Sequence, residues 1–341
     1  MIPSVFRHAR HVLAGASLCV FACLPATAKQ LDVVATIAPI HSLTAAVMKG
    51  VGEPYLLLQG GASGHTYSMK PSDAERLQRA DVIVQVSEAY EVFLQKALKT
   101  LPKSAKIITL DEIEGLTLLP VREGGDFEAH AHGGHDHGHK HSHGHGKKEH
   151  SHGKKGHGHG HGHAHGEADH DVHIWFDIGN AKIMAQHIAE ELGKVAPEHA
   201  STFKANADAL ASRLDALDAE TREALAASKG KPFIVFHDVL QYFEKRYGLT
   251  TVGAITLSPE RQPGAKRVAE VRKKLDRLKA VCVFAEPQFS PKLVDTIIEG
   301  TKVRKGTLDE IGVGLEPGPE LYFEFIRMNV RGLNDCLVVQ S

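Results

Sequence analysis

The sequence predicts an α/β protein of two similar lobes with mostly parallel sheets, joined by one long rigid helix. Three observations predict it. Between residues 31 and 110, short apolar runs alternate with helical patterns over short loops. The same alternation returns between 233 and 300. Between the two, Phe203, Ala207, Leu210, Leu214, Leu217, Thr221 and Leu225 recur at spacings of three and four, with no Gly or Pro until Gly230. The expected layout is a signal peptide at 1–28, a first lobe at 29–196, a linking helix at 197–227 and a second lobe at 228–341.

In the first lobe, Leu31 to Thr36 reads as a buried strand, Ile40 to Gly50 as a helix and Pro54 to Gln59 as a strand. Ser72-Asp73-Ala74-Glu75 has the pattern of a capping box that opens a helix. Asp81 to Val86 is an apolar strand, Glu88 to Thr100 a helix and Lys106 to Leu110 a strand. Asn180 to Val195 is helical, with Met184, Ile188 and Leu192 on one face. In the second lobe, strands are expected at Phe233–Phe236, Thr250–Ile255 and Ala280–Ala285. Helices are expected at Val239–Tyr247, Lys266–Leu278 and Pro291–Gly300, and Glu320 to Cys336 is expected to pack as a helix back on that lobe.

From Gly124 to Asp171 the rhythm stops, and His, Gly, Lys and Asp replace apolar side chains. Of 24 histidines, sixteen fall here: His130, His132, His135, His137, His139, His141, His143, His145, His150, His152, His157, His159, His161, His163, His165 and His170. Such a stretch cannot bury enough apolar area to offset its conformational entropy. It is expected to be a disordered insertion, and its neutral imidazoles to be secondary, low-affinity metal ligands. The chain as a whole carries 40 Lys+Arg against 41 Asp+Glu, which demands no basic face and argues against a nucleic-acid partner.

Arg7 and Arg10, the apolar run from Val12 to Leu24 and Ala26-Thr27-Ala28 form the pattern of a cleavable export signal. Val20-Phe21-Ala22-Cys23 loosely resembles a lipid-attachment site, but the bulky Phe21 and the better Ala-x-Ala site favour cleavage before Lys29. Export to the periplasm then removes Cys19 and Cys23 and leaves Cys282 and Cys336, which are expected to pair in an oxidising compartment.

Three histidines outside the tract have unusual settings. His65 closes the Gly-rich loop Gly60-Gly61-Ala62-Ser63-Gly64, His173 follows Asp171-Val172, and His237 ends the run Phe233-Ile234-Val235-Phe236. Ligands of open α/β sheets gather outside the carboxyl ends of strands. Asp309, in Gly306-Thr307-Leu308-Asp309, is a fourth candidate. Three imidazoles and a carboxylate suit a tetrahedral zinc site. His41 follows the first strand, Glu286 ends another, and Trp175 and Phe176 are expected to be core packing.

These blocks occur together and in order: Gly61-Ala62-Ser63-Gly64-His65-Thr66-Tyr67, Asp171-Val172-His173-Ile174-Trp175-Phe176-Asp177, Phe236-His237-Asp238, Phe284-Ala285-Glu286-Pro287-Gln288-Phe289 and Gly306-Thr307-Leu308-Asp309. In them the chain resembles the periplasmic zinc-uptake solute-binding proteins, the ZnuA type of the cluster A-I binding proteins of ABC transporters. The resemblance implies a Zn²⁺ site in the cleft between the lobes, with His65, His173 and His237 as ligands. It also implies Asp309 near the metal and a membrane permease as partner, the binding protein acting as a monomer. Some relatives place a glutamate before the first ligand; here Gly64 stands there, so the expected fourth ligand is Asp309 or water. Relatives that carry manganese or iron tend to offer a carboxylate where this chain has His237, and an all-imidazole trio favours a borderline metal such as zinc. Rival readings are a binding protein for Mn or Ni, a metal buffer or chaperone acting through the tract, and a zinc hydrolase. Against the last, there is no His-Glu-x-x-His motif.

Overall fold

A computed structural model describes residues 31–100, 105–122, 127, 169–256 and 263–338. The expected signal peptide and the tract from His130 to His165 lie outside the described residues. The first lobe is built on strands β1 (Val33–Ala35), β2 (Tyr55–Leu56), β3 (Val82–Gln85) and β4 (Lys106–Thr109). They pair in the order β2-β1-β3-β4, every pair parallel, with Val33 opposite Val82 and Ala35 opposite Val84. The central strands β1 and β3 are buried at every residue, which explains their unbroken apolar runs.

Helix α1 (Ala38–Val47) follows β1, and α2 (Pro71–Arg79) leads into β3. The start of α2 differs from the expectation. Pro71 takes the first helical position, where a missing N–H costs nothing, and the Lys70 N–H donates to Asp73 rather than Ser72 acting as cap. The stretch expected as a helix at 88–100 shrinks to a 3₁₀ turn at Val92–Leu94 and the short α3 (Gln95–Leu98). There Glu91 and Ser87 bind local backbone N–H groups, of Val86, Ser87 and Tyr90, and hold the chain in a turn after β3. Helix α4 (Ile178–Val195) is capped by Asp177, whose side chain accepts from the Asn180 N–H.

Helix α5 spans Ala200–Ala224, its 25 residues reaching about 38 Å. Short 3₁₀ turns at Pro197–His199 and Ala226–Ser228 flank it. The second lobe repeats the first. Strands β5 (Pro232–Val235), β6 (Thr250–Ala254), β7 (Cys282–Ala285) and β8 (Arg304–Thr307) pair in the order β6-β5-β7-β8, again all parallel. Helices α6 (Gln241–Tyr247), α7 (Ala265–Leu278) and α8 (Lys292–Ile298) complete the alternation. The chain is thus α/β with two parallel four-stranded sheets of one topology and a long helix between them.

The final helix, α9 (Leu321–Leu337), does more than cover its own lobe. The Tyr322 N–H donates to Ser42 of α1, and the Tyr322 hydroxyl donates to the Trp175 carbonyl. One continuous apolar core accordingly runs from both sheets through α4, α5 and α9, and includes Phe176, Leu214, Phe243 and Phe325. A smaller core around Ile255, Leu275 and Ile297 lies in the second lobe. A disulfide joins Cys282 at the start of β7 to Cys336 in the last turn of α9.

Candidate metal centre

The carboxyl ends of the strands in both lobes carry the site. The loop after β2 holds His65, the turn after β5 holds His237, and the loop after β8 holds Glu310. His173 comes from the segment that leads into α4. One donor atom from each of these four residues lies within 4.8 Å of the others. The three imidazole rings form a nearly even triangle, with centroids 5.4, 5.5 and 5.5 Å apart. His65 Nε2 lies 3.3 Å from His173 Nε2, and Glu310 Oε2 lies 3.2 Å from His237 Nε2 and 3.9 Å from His173 Nε2.

Each of the two most buried imidazoles is held from behind. His173 Nδ1 lies 2.7 Å from Asp171 Oδ1, and His237 Nδ1 lies 2.7 Å from Glu286 Oε1. With the Nδ1 hydrogen on the carboxylate, Nε2 is the nitrogen turned toward the cluster. Tyr242 from the second lobe donates to the Asp171 carbonyl at 2.6 Å, and Trp175 Nε1 donates to the Glu310 carbonyl at 2.8 Å. Trp175 is core packing, as expected, and it also ties the His173 segment to the Glu310 loop across the lobes.

The electrostatics of the cluster are set by burial and by the closeness of the imidazoles to the carboxylates. Glu310 is fully buried, and neither carboxylate oxygen has a hydrogen-bond partner; nor has His237 Nε2. Burial pushes the His65 imidazole down to about 3. Burial acts the same way on His237, but Glu286 and Glu310 outweigh it and raise that imidazole to about 10. For Glu310, burial raises the carboxyl, and contact with His237 and the charges of the other imidazoles overturn it, bringing it to about 2. His237 and Glu310 thus shift each other in opposite directions, the imidazole up and the carboxyl down.

Asp309 is not brought to the cluster. Its carboxylate accepts from the backbone N–H groups of Ile311, Gly312 and Val313 and from Gln288 Nε2, and is turned into its own loop. The neighbouring side chain, Glu310, faces the imidazoles instead. The signal was present as an acidic pair, Asp309-Glu310, after a strand, but which member faces inward depends on the loop's hydrogen bonds. His41 is also elsewhere: its Nε2 lies 2.9 Å from the Pro54 carbonyl oxygen. His170, at the end of the tract, has Nε2 3.3 Å from Asp111 Oδ2 and is not part of the cluster.

Fold and site together define a two-lobed α/β protein with a buried, cation-ready set of three imidazoles and a carboxylate between its lobes. The model of the family described as zinc-uptake complex component A, periplasmic, matches residues 33–336, and the chain belongs to that family. It is 51% identical over 325 residues to the high-affinity zinc uptake system protein ZnuA of Brucella abortus, covering 95% of this chain and 97% of that one. It is 42% identical over 317 residues to the protein of that name from Paracoccus denitrificans, covering 93% and 94%. Among solved structures, a crystal structure of ZnuA aligns with TM-score 0.69 at 20% identity, covering 90% of this chain and 99% of that one. The solute-binding protein FpvC of Pseudomonas aeruginosa, in complex with Mn²⁺, aligns with TM-score 0.70 at 20% identity, covering 91% and 99%.

Proposed function

We propose that this chain is a periplasmic binding protein that captures Zn²⁺ with His65, His173, His237 and Glu310 and delivers it to the membrane permease of an ABC transporter. The observation that carries this reading is the convergence of three Nε2 atoms and the bare, buried carboxylate of Glu310. Three borderline nitrogen donors and one oxygen suit a tetrahedral d¹⁰ ion. The protein binds and releases its substrate as a monomer, and no covalent step belongs to the cycle. Capture needs His237 Nε2 without its proton, so binding competes with protons at this imidazole.

Chain anatomy supports modest motion on release. The continuous core through α4, α5 and α9 resists a wide swing of the lobes. The histidines from His130 to His165 supply additional, weaker sites, in a stretch with few apolar side chains to fix a donor set. Their part is to raise the local zinc supply, while the site between the lobes makes the committed capture.

A zinc titration against a competing chelator tests the reading, using the mature chain and a chain lacking residues 130–165, with circular dichroism to check that both fold. One tight site is expected in each, with the weaker sites only in the longer chain. Loss of the tight site in a folded deletion, or its persistence after His237→Ala, would refute the assignment.

A further inference from the structure

We propose that Tyr90 helps to set metal specificity: its ring fills the space that a side chain at position 64 would occupy, and so keeps a further donor from that position out of the site. This inference rests on the zinc-capture reading and deepens it. The residue before His65 is Gly64, and a Cβ built there would stand 2.4 Å from Tyr90 Cε1 and 2.7 Å from Cζ. Those distances are far inside van der Waals contact, so position 64 and the Tyr90 ring cannot both carry side-chain atoms. Glycine is needed here for space, since its backbone is not in the left-handed region.

The ring is locked. Tyr90 is 1% exposed, and its N–H donates to Ser87 Oγ at 2.9 Å. It meets His65 edge-on at 4.8 Å between centroids, His173 at 6.2 Å and Trp175 at 5.1 Å. Trp175 stands against His173 at 5.3 Å and Phe289 near His237 at 6.4 Å. Trp175 and Phe289 thus place aromatic rings without oxygen beside His173 and His237, and Tyr90 sets its ring against His65. A hard ion such as Mn²⁺ prefers six mostly oxygen donors, while a tetrahedral ion is complete with four. The wall costs zinc nothing and denies a hard competitor an oxygen donor from position 64.

The test uses the full mature chain with one equivalent of metal, so that the tightest site fills first. Co²⁺ reports coordination number, because its visible bands are strong in a tetrahedral site and weak in five- or six-coordinate ones. Tyr90→Ala should lower those bands about threefold or more and shift the Mn²⁺-to-Zn²⁺ affinity ratio toward manganese by about tenfold. Tyr90→Phe should leave both as in the parent, since the ring and not the hydroxyl is at work. If the alanine variant fails to fold, Tyr90→Leu, which lacks the far half of the ring, must move both readouts in the same direction. Gly64→Ala should weaken zinc binding in the parent and be tolerated in the Tyr90→Leu background.

Bands and affinity ratio unchanged in a folded Tyr90→Ala or Tyr90→Leu variant would overturn the proposal. So would their loss in Tyr90→Phe, or a Gly64→Ala effect that is the same in both backgrounds. Tight zinc binding by the parent is a separate readout that tests the capture reading alone.

Discussion

His237 is gripped on both sides by carboxylates: Glu286 Oε1 lies 2.7 Å from Nδ1, and Glu310 Oε2 lies 3.2 Å from Nε2. The two contacts have different work. Glu286 orients the ring and keeps a hydrogen on Nδ1, which frees Nε2 to bind a metal. Glu310 shares the metal's side of the ring. Replacing Glu286 with Ala should therefore weaken zinc binding by about 10–100-fold without removing a ligand. Asp171→Ala should act in the same way through His173. Chelator competition on each variant reads this out, and an affinity equal to the parent's would show that the carboxylates only satisfy burial.

Asp309 and Glu310 should separate by readout. Glu310→Ala removes a donor and should weaken zinc binding by tenfold or more, and it also takes from the buried His237 the carboxylate that lies 3.2 Å from its Nε2. Asp309→Ala strips the N–H groups of Ile311, Gly312 and Val313 of their acceptor and should cost about 1–3 kcal/mol of metal-free stability. Denaturant unfolding and zinc titration of both variants give the comparison. A larger affinity loss in Asp309→Ala than in Glu310→Ala would reverse the assignment.

The bond between Cys282 and Cys336 closes a span of 54 residues and anchors α9 to the second sheet. Chain-entropy arguments put its contribution at about 4 kcal/mol. The double variant Cys282→Ser/Cys336→Ser should lose stability of that order while keeping the tight zinc site, which lies at the opposite ends of the strands. Unfolding curves with and without reductant measure the loss, and a reduced protein as stable as the oxidised one would contradict it.

Glu91 predicts a pH dependence independent of the metal. It is fully buried, and burial raises it to about 7 from 4.5, against the opposing pull of Thr36 and of the Val86 and Ser87 N–H groups. A carboxyl with a raised folded value holds its proton more tightly when folded. Its contribution is therefore full below about pH 4.5 and is lost as pH rises through about 7, a change on the order of 3 kcal/mol. Glu91→Gln should remove that slope. Metal-free unfolding of parent and variant between pH 4 and 8 measures the difference; a constant gap across the range would mean that Glu91 does not titrate there.

Local pattern alone determined much of this protein. Apolar runs such as Val33–Ala35 and Val82–Gln85 are strands because parallel strands are buried on both faces. The three-and-four stripe from Phe203 onward made the long helix legible, and compartment chemistry paired the only two cysteines left after cleavage of the expected signal peptide. His65 and His237 stood out by their places after strands, and all three histidines, His173 included, by motifs shared with a family. What the tertiary structure decided was which groups meet. Adjacent side chains such as Asp309 and Glu310 turn opposite ways, and the choice was made by three N–H groups of the following loop capturing Asp309. Glu286 reached His237 from 49 residues away, a contact that exists only because β5 and β7 lie side by side. The helix expected at 88–100 yielded to a turn for the same reason: Glu91 gained more from buried backbone donors and Thr36 than its segment gained from helical periodicity. Periodicity records which face of an element is buried. Hydrogen bonds between distant segments record nothing in local sequence, and they are what aim the site.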